Sequence, residues 1–335
     1  MACGEQPIAR FEIAIAESTA HLDQLVHINL DSITNLPDSV LSLVRVEGNE
    51  KKATPFQIQH RGHRELFWLA GGAGRQQFEL VSKFADEGFP QMRIRNTSGT
   101  LTISNGNSDL LRYHAETVYP PAGVDSVFKR SAFIHPLFTP NGHVLTRIQP
   151  EDHYHHYVIC NPWTQVLFDG DTIDFWNLYK REGTVRFAEL VSQFSGSLFS
   201  EFTARHEHIV FKSDSNEIIA LNELQTVRVS KSNDDDYYFV DFTIEMECGT
   251  TSPFLILEYR YGGFGWRAPQ AWNPQNSEVL TSENKTRKDA DGSVARWCIV
   301  KGALENDFGG IAIFSHPENY NHPEPLRIWP EDSNG

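Results

Sequence analysis

The chain has 335 residues, with 44 acidic side chains against 29 basic ones and a formal net charge of −15. A surface of that charge repels polyanions, so nucleic acid is excluded as the expected partner. Hydrophobic residues make up 40% of the chain and aromatic residues 12%, which is the composition of an ordered globular protein, and no apolar run is long enough for a membrane-spanning helix.

The start of the chain carries a cysteine, Cys3, followed by small and polar residues. This pattern is similar to the mature end of a bacterial lipoprotein. We therefore expect a protein that is soluble apart from a lipid anchor at Cys3 and is exported to the periplasm or outer membrane of a bacterium. The alternative is an ordinary exposed cysteine. Cys160, Cys248 and Cys298 are too widely spaced to indicate a disulfide framework or a zinc site built from thiolates.

Alternating apolar and polar residues predict strands, first at Phe11, Ile13 and Ile15 and later over residues 239–244. Turn residues rich in Gly, Asn and Asp separate these segments at short intervals. Residues 187–202 show apolar residues at helical spacing, but their flanks are β-branched and aromatic, which favours strands there as well. The sequence therefore predicts an all-β protein with few helices, built as a large antiparallel β-sandwich of the supersandwich or jelly-roll type.

A proline pair followed by alanine and glycine at residues 120–123 is the best candidate linker. We place a domain boundary there. Residues 1–120 form an N-terminal β module, either separate or part of the same sandwich, and residues 121–335 form a second domain.

Histidines are crowded in the second domain, where five of them fall between positions 135 and 156. The centre of this crowd is the run Asp152-His153-Tyr154-His155-His156. If residues 154–159 form a strand, His153 and His155 lie on one face and His156 on the other. Imidazole changes charge near neutral pH, so His153, His155 and His156 are candidate catalytic acid and base groups.

The same crowding leaves a metal site open, because neutral imidazole is a ligand for transition metals. One divalent metal ion bound by His135, His153 and His155 is the arrangement we expect in that case, with His316 as a further ligand, since His135 and His316 are each followed by proline. A third alternative is that the histidines only bridge loops by hydrogen bonds.

A second group of candidate catalytic and binding residues lies in the segment 258–267. Alternation places Arg260 opposite Tyr261, and the glycine pair after them allows close backbone approach. Aromatic rings cover the C–H face of a sugar, and guanidinium groups bind carboxylate or sulfate. A bulged strand with core aromatics is the alternative. Tyr261 and Arg260 join the catalytic candidates, and the candidate substrate-binding residues are Arg130, His135, Trp176, Arg186, Arg267 and His316.

The order of these motifs resembles the bacterial family called PmoA-like. The resemblance covers about residues 110–330 and rests on the segments Lys129-Arg130-Ser131, Ile134-His135-Pro136-Leu137, Thr139-Pro140-Asn141-Gly142, Asp152 to His156, Asp174-Phe175-Trp176, Tyr261-Gly262-Gly263 and Phe314-Ser315-His316-Pro317. Tyr154 stands where that family has proline. The resemblance implies a secreted β-sandwich protein associated with bacterial glycan degradation, which favours carbohydrate as the substrate class.

The leading hypothesis is therefore a lyase or dehydratase that acts on uronic-acid-containing oligosaccharides by removing the proton α to a carboxylate. His153 or His155 would be the base, a tyrosine or second histidine would protonate the leaving oxygen, and Arg260 or Arg267 would hold the carboxylate. The first alternative is a metal-dependent hydrolase or oxygenase that uses the histidine cluster. The second is a carbohydrate-binding module without catalysis. In each case the expected partner is an oligosaccharide, acidic in the leading hypothesis.

Overall fold

The computed structural model describes residues 6–82, 89–213 and 216–329. Within these residues the only helical elements are five three-residue 3-10 turns, at Glu17–Thr19, Leu30–Ser32, Asp38–Val40, Ser126–Phe128 and Leu178–Lys180. All strand pairs are antiparallel, so the all-β, sandwich-like fold expected from the sequence is confirmed. No helix in the described ranges is both long and apolar enough to cross a membrane. Cys3 lies outside the described residues.

The first seven strands lie in the first 82 residues. They are β1 (Ala9–Ile15), β2 (Gln24–Asn29), β3 (Leu41–Glu47), β4 (Glu50–Thr54), β5 (Phe56–His60), β6 (Arg64–Ala70) and β7 (Gly74–Ser82). They form one sheet in the order β1-β7-β3-β4 and a second in the order β2-β6-β5. Trp68 of β6 and Phe78 of β7 are fully buried between the sheets, and the alternating residues Phe11 and Ile13 of β1 pack against them. These residues form a small sandwich with its own core.

The remaining strands build a larger sandwich. They are β8 (Met92–Thr97), β9 (Thr100–Asn105), β10 (Ser108–His114), β11 (Phe133–Leu137), β12 (Val166–Phe168), β13 (Asp171–Ile173), β14 (Gly183–Ser195), β15 (Phe199–Ser213), β16 (Asn216–Lys231), β17 (Tyr238–Cys248), β18 (Leu255–Ile256), β19 (Ser277–Thr281), β20 (Trp297–Leu304) and β21 (Asp307–Phe314). The sheets are β11-β10-β9-β8, the long β14-β15-β16-β17, and the smaller β13-β12-β18 and β19-β20-β21.

The main core lies between the sheet β8 to β11 and the long sheet. Tyr113 of β10, Ile134 of β11, Phe202 of β15 and Val227 of β16 meet there and are fully buried. Strand β10 pairs with β11, so hydrogen bonds of one sheet cross the boundary that we expected at residue 120.

The segment 187–202 forms parts of β14 and β15, as its flanks predicted. Its helix-like spacing has a local cause. The pairing of β14 with β15 shifts register twice, between Phe187 and Glu189 and again between Leu190 and Ser192. Each such bulge adds one residue to a strand and changes which residues face the core. Phe187 and Leu190, three residues apart, therefore both pack against the main core.

The two sandwiches are joined at the tip of the β14–β15 hairpin. The buried side-chain oxygen Oε1 of Gln57 accepts hydrogen bonds from the backbone N–H groups of Leu198, at 2.9 Å, and Phe199, at 3.1 Å. The ring of Phe67 on β6 packs edge-on against that of Phe199, with centroids 5.2 Å apart. The contact therefore has both a polar and an apolar part.

Candidate functional site

The histidine run lies in the long loop between β11 and β12 and does not form a strand. The strand predicted over residues 154–159 is wrong, because consecutive turns occupy this region. The backbone N–H of His153 donates to the carbonyl of Pro150 at 2.9 Å, and that of His156 donates to the carbonyl of His153 at 2.9 Å. The turns, and not strand alternation, decide where the imidazoles point.

As a result all three imidazoles lie together. The ring centroids of His153 and His156 are 4.8 Å apart, those of His155 and His156 are 4.6 Å apart, and those of His153 and His155 are 5.5 Å apart. The expected separation of His156 onto the opposite face is therefore wrong. We call these three side chains the histidine cluster.

His153 forms a pair with the carboxylate of Asp152. Its Nδ1 lies 2.6 Å from Oδ2 of Asp152. Burial alone would raise the pKa of Asp152, but the hydrogen bond from His153 and the charge of Arg267 outweigh it and lower that pKa. An ionised carboxylate can only accept, so Nδ1 of His153 carries a proton, and in the neutral imidazole Nε2 is then the acceptor. This is the arrangement of an oriented general base.

His156 has the opposite tautomer. Nη1 of Arg267 lies 2.8 Å from Nδ1 of His156, and a guanidinium can only donate, so Nδ1 accepts and Nε2 carries the proton. Nη2 of Arg267 also lies 3.4 Å from Oδ2 of Asp152. Arg267, predicted from the sequence, therefore holds both ends of the histidine run.

Two imidazoles of the cluster are uncharged at neutral pH. Burial lowers the pKa of His155 to about 4, with the neighbouring His153 acting in the same direction. Burial lowers the pKa of His156 to about 2, with His155 and Arg267 adding to the effect. Both groups therefore offer neutral imidazole for hydrogen bonding across the range in which ordinary histidines titrate.

Aromatic rings border each member of the cluster. Trp176 lies 5.8 Å from His156, Tyr179 lies 6.2 Å from His155, and Trp329 lies 6.2 Å from His153, all between ring centroids. Tyr179 is 56% exposed and Trp329 is 38% exposed. The cluster thus opens to solvent between aromatic side chains.

A buried carboxylate fixes the turn that carries Trp176. Asp174 accepts hydrogen bonds from the backbone N–H groups of Trp176, at 2.9 Å, and Asn177, at 2.8 Å, and pairs with Lys180. Burial acts to raise the pKa of Asp174, but the hydrogen bonds from Asn177 and Lys180 outweigh it, so the pKa is lowered and the group is ionised.

The second predicted group reaches the cluster through Trp176. The rings of Trp176 and Tyr261 lie 5.9 Å apart, and the side-chain amide of Asn177 donates to the Tyr261 hydroxyl at 3.3 Å. The guanidinium of Arg260 lies over the Tyr261 ring at 5.6 Å. Burial raises the pKa of Tyr261, so the phenol stays protonated at neutral pH. Among the described residues, Tyr261 and Arg260 therefore adjoin the cluster through Trp176 and have no ring contact with its histidines.

The glycines of this segment accommodate tryptophan rings. A Cβ at Gly263, where φ is +78°, would lie 2.8 Å from the ring of Trp163, and a Cβ at Gly265 would lie 2.6 Å from the ring of Trp176. The close backbone approach expected at the Gly262-Gly263 pair is therefore an approach to a side chain of the protein.

Three predicted site residues are placed away from the cluster. Nδ1 of His135 bonds the hydroxyl of Thr146 at 2.8 Å, and burial lowers its pKa to about 4. His316 is exposed, and its Nδ1 accepts from the backbone N–H of Glu318. Arg186 is paired with Glu207 and Glu217 on the long sheet. These three were assigned to the site by their residue type, and their positions depend on strands remote in sequence.

Arg130 is buried beneath the loop. Its side chain is 2% exposed, and its nearest acceptor is the carbonyl of Phe175, at 3.5 Å from Nη1. A ligand at the surface cannot reach the guanidinium, so the structure does not support the expected contact of Arg130 with substrate. Within the described ranges it has no carboxylate partner.

The expected metal ligands do not converge. Among the residues that the structure describes, no group of three or more His, Cys, Asp or Glu side chains is arranged to hold a metal ion. His135 is hydrogen-bonded outside the cluster, and Nδ1 of His153 is occupied by Asp152. The metal alternative thus has no set of ligands that supports it.

Sequence reasoning named Asn177 with Trp176 as a further candidate but missed Tyr179 and Trp329. Tyr179 lies three residues after Trp176, so its closeness to a predicted residue was the one available signal. Trp329 lies more than 170 positions from His153, and no local pattern connects them. The role of Arg147 was also missed; its backbone N–H donates to the carbonyl of Arg267 at 3.2 Å.

Comparison with known proteins identifies a family for this chain but does not indicate an activity. No curated protein gives a significant match to the sequence. The model of a family of unknown function, DUF6807, matches residues 100–335, which contain the whole histidine cluster, Arg267 and the bordering aromatic residues. The similarity to PmoA-like proteins stays a prediction. With more than two thirds of its length matched, the chain belongs to the DUF6807 family.

Proposed function

We propose that the protein is a carbohydrate-active lyase or dehydratase that removes the proton α to the carboxylate of a uronic acid within an oligosaccharide. One observation carries the proposal: Oδ2 of Asp152 accepts from Nδ1 of His153 at 2.6 Å and from Nη2 of Arg267 at 3.4 Å, so one carboxylate orients both an imidazole and a guanidinium. A base next to a fixed positive charge is the combination that this proton abstraction needs.

His153 is the best base of the three histidines. The pKa values of about 4 for His155 and about 2 for His156 make these two imidazoles weak bases. A general base works best when its pKa lies near the working pH. In His156, moreover, Nδ1 already accepts from Arg267. His155 and His156 are therefore proposed to bind substrate through neutral imidazole.

Arg267 is proposed to bind the substrate carboxylate. A guanidinium has five N–H donors, and the contacts with His156 and Asp152 use two of them, so three remain. Tyr179 is proposed as the proton donor to the leaving oxygen, because its ring lies 6.2 Å from that of His155 on the exposed side of the cluster and its phenol is an O–H donor. Tyr261 contacts Trp176 and Arg260 lies over the Tyr261 ring, so these two residues are proposed to bind a neighbouring sugar of the oligosaccharide.

The reaction balances without a further reactant. The C–H bond α to the carboxylate breaks, the proton goes to Nε2 of His153, and the electron pair forms a C=C bond. The C–O bond at the neighbouring carbon breaks, and its oxygen takes the phenol proton of Tyr179. Transfer of the proton from His153 to the phenolate through solvent restores both groups.

The test is an assay for the new C=C bond by ultraviolet absorbance with a panel of acidic oligosaccharides. His153→Gln is expected to lower kcat by about 10²- to 10⁴-fold, the usual contribution of a general base. His316→Gln is the matched control, because His316 is exposed and outside the cluster, and it should keep the wild-type rate. The proposal is sunk if the wild type forms no unsaturated product from any member of the panel.

A second candidate, a carbohydrate-binding module, is favoured by the exposure of Tyr179 and Trp329. Aromatic rings on an open surface suit sugar binding without chemistry. This candidate predicts that the wild type binds oligosaccharides on a glycan array, that binding survives His155→Ala, and that neither protein shows turnover. Turnover by the wild type would exclude it.

A further inference from the structure

Trp329 lies at the histidine cluster, although it belongs to a C-terminal segment in which the sequence shows no recognisable motif. Its ring meets that of His153 at 68°, with centroids 6.2 Å apart. It remains 38% exposed, and it belongs to none of the apolar core clusters of the described residues. A large aromatic side chain that stays partly exposed next to the imidazoles contributes little to packing. Its position favours contact with a ligand.

The segment before Trp329 is fastened to the turn at residues 291–293. Backbone hydrogen bonds join Leu326 to Gly292, at 2.9 Å, and Leu326 to Ser293, at 2.7 Å. Asp291 accepts from the backbone N–H of Ile328 at 3.0 Å and pairs with the guanidinium of Arg327.

Arg327 then connects this fastening to the ring itself. The guanidinium carbon of Arg327 lies over the Trp329 ring, 4.8 Å from the ring centroid, and Nη1 of the same guanidinium pairs with Asp291. The cation covers part of one face of the indole. Trp329 is thus held by contacts on its own segment and is not wedged into the core, so its position at His153 is set in advance of any ligand.

The other aromatic residues border different histidines. Trp176 contacts His156 and Tyr179 contacts His155, so Trp329 is the aromatic neighbour of His153, the proposed base. A pyranose ring presents C–H groups on its faces, and aromatic rings bind these faces. A sugar held against Trp329 would therefore lie next to the imidazole of His153.

We propose that Trp329 is a sugar-stacking residue of this site, and that it determines the position of a pyranose ring next to His153. The contacts of Asp291 with Ile328 and Arg327 hold the Trp329 side chain in this position. The inference rests on the proposed function, since it assumes that the ligand is an oligosaccharide.

The experiment measures Kd by calorimetry and kcat and KM by the absorbance assay, with oligogalacturonates and oligomannuronates as probes. Trp329→Ala is expected to weaken binding by about three- to tenfold, the usual worth of one aromatic stacking contact, and to raise KM with little change in kcat. Trp329→Phe should restore most of the affinity. Asp291→Asn should give an intermediate loss, because the stacking ring stays but is held less firmly.

Tyr320→Ala is the matched control, because Tyr320 is an exposed aromatic of the same C-terminal region with no contact to the cluster among the described residues. It should bind as the wild type does. Unchanged Kd and KM in Trp329→Ala, together with turnover lost in His153→Gln, would overturn the role of Trp329 and leave the proposed function standing. Failure of the wild type to bind or convert any probe would overturn both.

Discussion

The histidine cluster contains three identical side chains with three different surroundings. Asp152 accepts from His153, Arg267 donates to His156, and His155 has neither kind of partner among the described residues. Hydrogen-bond partners select the tautomer of an imidazole, and burial selects its charge. Adjacent histidines can therefore have separate roles, which residue type and spacing alone do not reveal.

The lowered histidine pKa values predict a loss of stability in mild acid. Below about pH 6.5 the histidines of the unfolded chain take up protons, whereas folded His155 stays neutral to about pH 4 and folded His156 to about pH 2. The unfolded state then binds more protons, so the free energy of unfolding falls as the pH falls. Each group contributes at most about 1.4 kcal/mol per pH unit, and less where solvent screens it.

Urea unfolding at pH 7, 6 and 5 measures this loss. His156→Gln removes one titrating group, so the variant should lose less stability than the wild type between pH 7 and 5. His316→Gln, which changes an exposed histidine, should lose as much as the wild type. Equal losses in all three proteins would contradict the prediction.

Part of the site was predictable at this scale. His153, His155, His156 and Arg267 were identified from the sequence and lie together, because all four belong to two loops that the fold brings into contact. His316 was chosen for the same chemical reason and lies elsewhere. The difference depends on how distant strands pack, and residue type carries no information about that.

Among the elements, the loop at residues 258–267 shows how backbone shape supports the site. Gly265 lies directly against the ring of Trp176, and its N–H donates to the carbonyl of Cys160 at 3.0 Å, which ties the loop to the end of the histidine loop. The absence of a side chain at Gly265 therefore allows two loops and one tryptophan to share the same space.

Gly265→Ala is expected to displace Trp176. The added Cβ would lie 2.6 Å from the ring, well inside van der Waals contact, so the ring or the loop must shift. Overpacking of this kind usually costs about 1–3 kcal/mol of stability, and oligosaccharide binding should weaken as well. Thermal unfolding and calorimetry measure the two effects.

Trp176→Phe provides the matched test. The smaller ring leaves room for the new methyl group, so the double variant should lose less stability than the sum of the two single changes. Additive losses would show that the ring of Trp176 and the Cβ do not compete for space.

At the same scale, alternation in the sequence identified strands such as β1 correctly, since one face of each is buried. The prediction of a strand over residues 154–159 failed because apolar residues in a buried loop resemble those of a strand. Tyr157, Val158 and Ile159 are all buried, and Ile159 exchanges two backbone hydrogen bonds with Ile134 of β11, but the segment does not continue as a strand.

At the scale of the whole molecule, a polar network runs through the main core. Glu223 of β16 accepts from His206, at 3.0 Å, from His208, at 3.0 Å, and from Asn161, at 2.9 Å. Nε2 of His206 bonds the hydroxyl of Tyr113 on β10 at 2.8 Å. Burial would raise the pKa of Glu223, but the two histidine hydrogen bonds outweigh it and hold that pKa well below its usual range. Both layers of the sandwich share this network.

Glu223→Gln should therefore destabilise the fold. One acceptor oxygen becomes an amide that faces N–H donors, which leaves at least one buried group unsatisfied and costs about 1–3 kcal/mol. Urea unfolding measures the change. Glu245→Gln, an exposed change on the neighbouring strand β17, should alter the free energy of unfolding by less than about 0.5 kcal/mol. A similar small effect at Glu223 would contradict a structural role for the network.

The junction at Gln57 has a consequence for how the protein can be divided. The family match begins at residue 100, so it omits the small sandwich and also β8, the edge strand of a sheet whose other strands it keeps. A fragment cut at that point would expose the phenyl ring of Phe199 and the amides that Gln57 now satisfies. It would also present β9 as a bare edge, ready to pair with another copy and aggregate.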